Sequence, residues 1–145
     1  MEHLFAGVIS IMLVIGTTMM HYEILRITWI ILPRLGLNER QRIIPVILSI
    51  FFAHSLAIWA YGCTYWFLDR FMNIGRLKGA EQHDFITYIY FSAEAYTSLG
   101  LGDIVPTKGF YLLVGVESLN GLVLIGWSVA FTFLVLQRFW DMHPK

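Results

Sequence analysis

One row in the chain is built to bind through its backbone, Thr97-Ser98-Leu99-Gly100-Leu101-Gly102-Asp103. Two glycines alternate with two leucines, a hydroxyl pair precedes them, and a carboxylate closes the row. Glycine reaches positive φ without a steric penalty, so alternate glycines let a backbone point successive carbonyls the same way. A row of carbonyls aimed at one axis replaces the water around a dehydrated cation. The chemistry on offer is coordination by main-chain oxygen, with no bond made or broken. His54, Glu94 and Glu117 are the groups a membrane enzyme would use, and no nucleophile–base arrangement or metal-ligand spacing joins them.

The elements that must hold such a row are set by composition. Of 145 residues, 57% are hydrophobic and 14% charged, which places the chain with membrane proteins and makes it too small for two domains. Net charge is zero, so no basic field argues for nucleic acid or a polyanionic substrate. A single cysteine, Cys63, has no internal disulfide partner and reads as a packing residue near a helix end. Met1-Glu2-His3 lacks a basic region before the first apolar run, so that run reads as a retained span.

A transmembrane helix needs roughly 20 apolar residues. Leu4 to Met20 nearly meets this, with the helical pattern continuing through Arg26 and a Glu23–Arg26 pair one turn apart. Trp29 and Pro33 then mark an interface and a stop. Ile43 to Leu68 is the second span, in which Tyr61, Tyr65, Trp66 and Phe67 read as an interfacial belt. His54, near its middle, is a functional candidate by position. The preferred reading is a hydrogen-bonded packing residue.

Phe85 to Thr97 is too short to span and reads as re-entrant. Non-helical backbone at membrane depth survives only inside protein or beside water, so the glycine row implies a protein-enclosed axis. Gly109 to Trp140 is the third span, with a tail of Asp141 to Lys145 that leaves no room for a soluble sensor domain. Arg34, Arg40 and Arg42 place the first link in the cytoplasm by the positive-inside rule. The N-terminus and the 69–84 loop are then expected outside, and the C-terminus in the cytoplasm.

The row resembles the filter signature of pore-loop potassium channels, the TVGYG type. Ser92-Ala93-Glu94 resembles the pore-helix end of simple bacterial potassium channels, where a glutamate precedes the filter. Thr97 and Ser98 match the two threonines, Gly100 and Gly102 the two glycines, Asp103 the closing aspartate and Pro106 a proline just beyond. The similarity runs from about Phe85 to Trp140, and the first half matches as apolar spans alone. Ser98 stands for threonine, Leu99 for valine, and Leu101 for the usual tyrosine or phenylalanine, departures that bear on ion selectivity more than on fold.

The resemblance implies an all-α membrane protein with three transmembrane helices, a re-entrant pore helix and a selectivity-filter loop, assembled as a homotetramer in the lipid bilayer of a prokaryotic plasma membrane. Residues 1–33 form an extra N-terminal helix and its extension. Residues 43–140 form the pore domain: outer helix 43–68, outer loop 69–84, pore helix 85–97, filter 98–103 and inner helix 109–140. Ser98, Leu99, Gly100, Leu101 and Gly102 would coordinate K+ or another monovalent cation, with no cofactor. Glu94 would lie behind the filter near Asp103 and share a proton with it, with Thr97 in the same support; a Glu94 bond to a backbone amide or water is the alternative. On the inner helix, Glu117, Asn120, Gly121, Gly126 and Ser128 are candidates for hinge or cavity roles. For Glu117, packing with a hydrogen bond is preferred over a cavity carboxylate. Family resemblance puts a hinge near Gly121, and close helix contact competes with it. A non-selective channel, or a non-conducting subunit that needs a partner, is the alternative function.

Overall fold

The computed structural model describes residues 2–79 and 84–139, so Ala80–His83 of the loop expected outside, Trp140 and the tail lie outside the described residues. Four α-helices carry the fold: α1 (Glu2–Ile31), α2 (Ile43–Phe67), α3 (Phe85–Thr97) and α4 (Tyr111–Phe139). With their flanking turns, α1, α2 and α4 give three segments long and apolar enough to cross a membrane, Phe5–Leu35, Glu39–Met72 and Lys108–Phe139. The 13 residues of α3 reach about 20 Å at 1.5 Å each, short of a hydrocarbon core about 30 Å thick.

Local chemistry sets the boundaries. Glu23 and Arg26 pair at 3.4 Å on an exposed face within α1, which runs on to Ile31. Pro33 then sits in a 3₁₀ turn, and Gly36 follows at φ 60°. Asp84 caps α3 by accepting from the Thr87 amide at 2.9 Å. The Thr87 hydroxyl donates to the same oxygen at 2.5 Å, and both bonds hold the Asp84 carboxyl below its ordinary value.

Contacts along α4 give the directions of its neighbours. Thr17 meets Asn120 and His21 meets Ser128, so α1 runs parallel to α4. Tyr61 meets Asn120 and His54 meets Ser128, so α2 runs antiparallel to it. The core forms three layers along the bundle. One lies around Tyr65, Phe91 and Phe110 near the glycine row, one around Ala57, Tyr96 and Leu124, and one around Leu32, Val46 and Val135 at the other end. Two-residue strands, β1 (Leu77–Lys78) and β2 (Val105–Pro106), pair antiparallel and sew the loop after α2 to the segment after the row. The Thr107 amide adds a bond to Arg76 O at 2.9 Å.

Two sequence expectations are corrected here. Tyr61 and Tyr65 are fully buried rather than part of an interfacial belt, because their hydroxyls find partners inside the bundle. Cys63, expected in packing, is exposed on α2 between those two buried tyrosines.

Candidate functional site

The site begins at the last turn of α3. The Leu99 amide donates to Glu94 O at 3.0 Å and the Ser98 amide to Ala95 O at 3.1 Å, the paired bonds of a Schellman cap. That cap needs a left-handed residue, and Ser98 supplies it at φ 56° without being glycine. Gly100 follows at φ 54° and Gly102 at φ 82°, while Leu99 and Leu101 stay on the ordinary side. Three alternate left-handed residues result. Alternating hand gathers successive amides on one face of a strand and carbonyls on the other. The whole run from Thr97 to Asp103 is exposed, with Leu99 at 68% and Leu101 at 66%, so one loop covers an ion from one side at most.

Behind the row, Glu94 is buried and Asp103 exposed. Among the described residues no direct bond joins the two carboxyls, and Tyr90 stands beside both. The Tyr90 hydroxyl donates to Asp103 Oδ2 at 3.1 Å and lies close to the Glu94 carboxyl. With one hydrogen, it serves one carboxyl at a time. Glu94 Oε1 has no partner among the described residues, and Asp103 Oδ1 accepts the Ile104 amide at 3.0 Å. The Thr97 hydroxyl turns back to Ala93 O at 2.7 Å. Tyr90 was not singled out from the sequence; its place four residues before Glu94 on one helix face was the available signal.

Glycines seat α3 from two sides. A Cβ at Gly121 would clash with Tyr96 O, and one at Gly62 would lie 2.6 Å from the end of Ile89 and 3.0 Å from its Cα. The Ser118 hydroxyl adds a bond to Ala95 O at 2.8 Å. Tyr96 is turned into the bundle, where its hydroxyl lies 2.8 Å from His54 Nδ1. His54 is thus hydrogen-bonded, and it has a second histidine beside it: His21 lies 4.9 Å away between ring centres.

On α4, Glu117, Asn120, Gly121 and Ser128 are buried, in keeping with the packing role preferred for Glu117, whereas Gly126 is exposed. Glu117 is 0% exposed and accepts from the Tyr65 hydroxyl at 2.6 Å and the Ser92 hydroxyl at 2.5 Å. The Asn120 amide donates to Thr17 Oγ1 at 2.8 Å and to the Tyr61 hydroxyl at 3.2 Å. Ser128 donates to Leu124 O at 3.0 Å and faces both histidines. Gly121 is filled by α3, whereas Gly126 is exposed and has nothing within 4 Å of a Cβ. The polar side of α4 therefore serves contacts between helices of one chain. The partners on α1 were missed, although Ser10, Thr17, His21 and Thr28 repeat at spacings that share a face, and all four are buried.

Among known protein families, one described as an ion channel matches residues 46–138, which take in most of α2, all of α3, the glycine row and α4 as far as Arg138. No curated protein and no solved structure gives a significant match to the chain.

Proposed function

Since the chain belongs to the ion channel family, we propose that it forms a homotetrameric, potassium-permeable cation channel. The observation that carries this reading is the alternation of hand at Ser98, Gly100 and Gly102, directly after a capped half-helix too short to cross a bilayer. Carbonyls must surround an ion, one exposed loop supplies one side, and closed rotational symmetry supplies the rest. Four copies match the filters this row resembles. Rings of oxygen from Ser98, Leu99, Gly100, Leu101 and Gly102 then hold the permeant cation, and Asp103 sets a carboxylate per subunit at the outer mouth. The arginine link at 34–42 faces the cytoplasm, with both N-terminus and filter mouth outside.

Selectivity in this reading is relaxed. Leu101 has no hydroxyl and is 66% exposed, and Tyr96 and Phe91 are turned into the bundle rather than against the row. A filter held less firmly rejects sodium less strictly, to the extent that ring stiffness sets selectivity. Purified protein in potassium-loaded liposomes tests the function. Release of potassium down its gradient, from protein that runs as a tetramer by native mass measurement, is expected. Vesicles that stay tight around folded protein would overturn it.

A further inference from the structure

Helix α1 lies outside the residues that match the family, yet it reaches the pore helix through one oxygen atom. His21 is 0% exposed, and its Nε2 lies 3.0 Å from Ser128 Oγ. His54 sets its own Nε2 3.1 Å from the same oxygen and its Nδ1 2.8 Å from the Tyr96 hydroxyl. Trp127 packs on the His21 ring at 5.7 Å. Four helices therefore meet in the chain His21–Ser128–His54–Tyr96.

Counting hydrogens fixes the arrangement. A serine hydroxyl has one hydrogen and two lone pairs. With its hydrogen on Leu124 O, 3.0 Å away, Ser128 turns both lone pairs to the histidines. Each ring must then carry its hydrogen on Nε2. His54 Nδ1 is left as an acceptor, and Tyr96 donates to it. His21 Nδ1 is left as a buried acceptor with no partner among the described residues. A proton entering the cluster has two places to go, and both are Nδ1 atoms.

We propose that His21 and His54, bridged by Ser128, form a proton-binding site through which α1 regulates the pore helix. A proton on His54 Nδ1 makes that atom a donor, so Tyr96 must turn its own hydrogen elsewhere or leave. Tyr96 immediately precedes Thr97 and Ser98, and its carbonyl is the group seated on Gly121. Binding of the proton loosens the last turn of α3 and lowers conduction. The neighbours leave the charge uncompensated. From α3 the titratable group facing the pair is Tyr96, and from α4 the faces are Ser128, Trp127 and Leu124. Glu117 and Tyr61 sit further along the bundle, about three and two turns away, each bound to its own partners. No Asp, Glu, Lys or Arg bonds either ring among the described residues.

This regulation rests on the channel reading for its output, whereas the site itself does not. Nitrogen NMR of histidine-labelled full-length protein in bilayers, assigned with His21→Gln and His54→Gln, reads the site directly. Hydrogen on Nε2 of both rings at neutral pH is expected, with Nδ1 of at least one ring filling in acid. Hydrogen on Nδ1 of either ring at neutral pH overturns the proposal, whether or not the protein conducts. Potassium flux gives the second arm, read in each protein as the ratio of acid to neutral flux. The wild-type ratio should fall several-fold below one and return close to one in His54→Gln, where glutamine offers a donor and an acceptor but no proton site facing Tyr96; His21→Gln keeps that site without its α1 partner, and its ratio should differ from the wild type. A wild-type ratio near one, or an equal fall in the variants, overturns the regulatory role. Protein that never conducts fails the channel reading and the regulation with it, while the NMR result still judges the site.

Discussion

Residue by residue, the bundle is held by polar groups whose partners lie on other helices. Glu117 is the test case, because its carboxyl joins α4 to Tyr65 of α2 and Ser92 of α3. Glu117→Ala leaves the buried Tyr65 hydroxyl without its acceptor, whereas the Ser92 hydroxyl turns its one hydrogen to Ile58 O at 2.8 Å. One orphaned buried group costs about 1–3 kcal/mol, and the cavity adds to it. Glu117→Gln keeps an acceptor for Tyr65 and should lose much less. Thermal unfolding in detergent compares the two, and equal losses would contradict the assignment. Asp84 gives a prediction in pH. The Thr87 hydroxyl and amide hold its carboxyl below the ordinary value, so its contribution is complete above the unfolded carboxylate value, about 3.9. It is lost as pH falls through the lower folded value. Amide hydrogen exchange in the first turn of α3 should quicken in that acid range, and Asp84→Asn, still a good cap, should remove the dependence.

At the scale of elements, the central fact is that glycines on α2 and α4 let α3 approach as closely as it does. Gly121→Ala drives a methyl group into Tyr96 O, so α3 must shift and the row with it; Gly126→Ala meets open space. Flux should fall at least tenfold in the first variant and stay near wild type in the second. The reverse order would make Gly126 the position that matters and contact at Gly121 unimportant. The half-helix and its row were legible in the sequence because their signals are local: a short apolar run, a hydroxyl pair and alternate glycines within 19 residues, Phe85 to Asp103. The inward faces of α1 and α4 were not legible in the same way. Lipid is as apolar as a protein core, so hydrophobic periodicity does not say which face of a membrane helix is buried. Tyr61 and Tyr65 show the consequence, since amphipathic rings near a helix end fit both a headgroup belt and a hydrogen-bonded core. His54 looked solitary because its partners, His21, Tyr96 and Ser128, are far apart in the chain.

At the scale of the whole molecule, three membrane-capable helices hold a fourth, shorter helix so that its C-terminal end presents an exposed row of alternating hand. The exposure of Leu99 and Leu101 in a single chain fits a loop completed by its copies. Reversal potentials of single channels in planar bilayers, with potassium on one side and sodium on the other, test this account most directly. Single-channel currents should reverse on the potassium-selective side of zero but short of strict sodium exclusion, with a shift toward stricter exclusion in Leu101→Tyr. Folded protein that carries no current, or a current reversing as for an anion path, would contradict it.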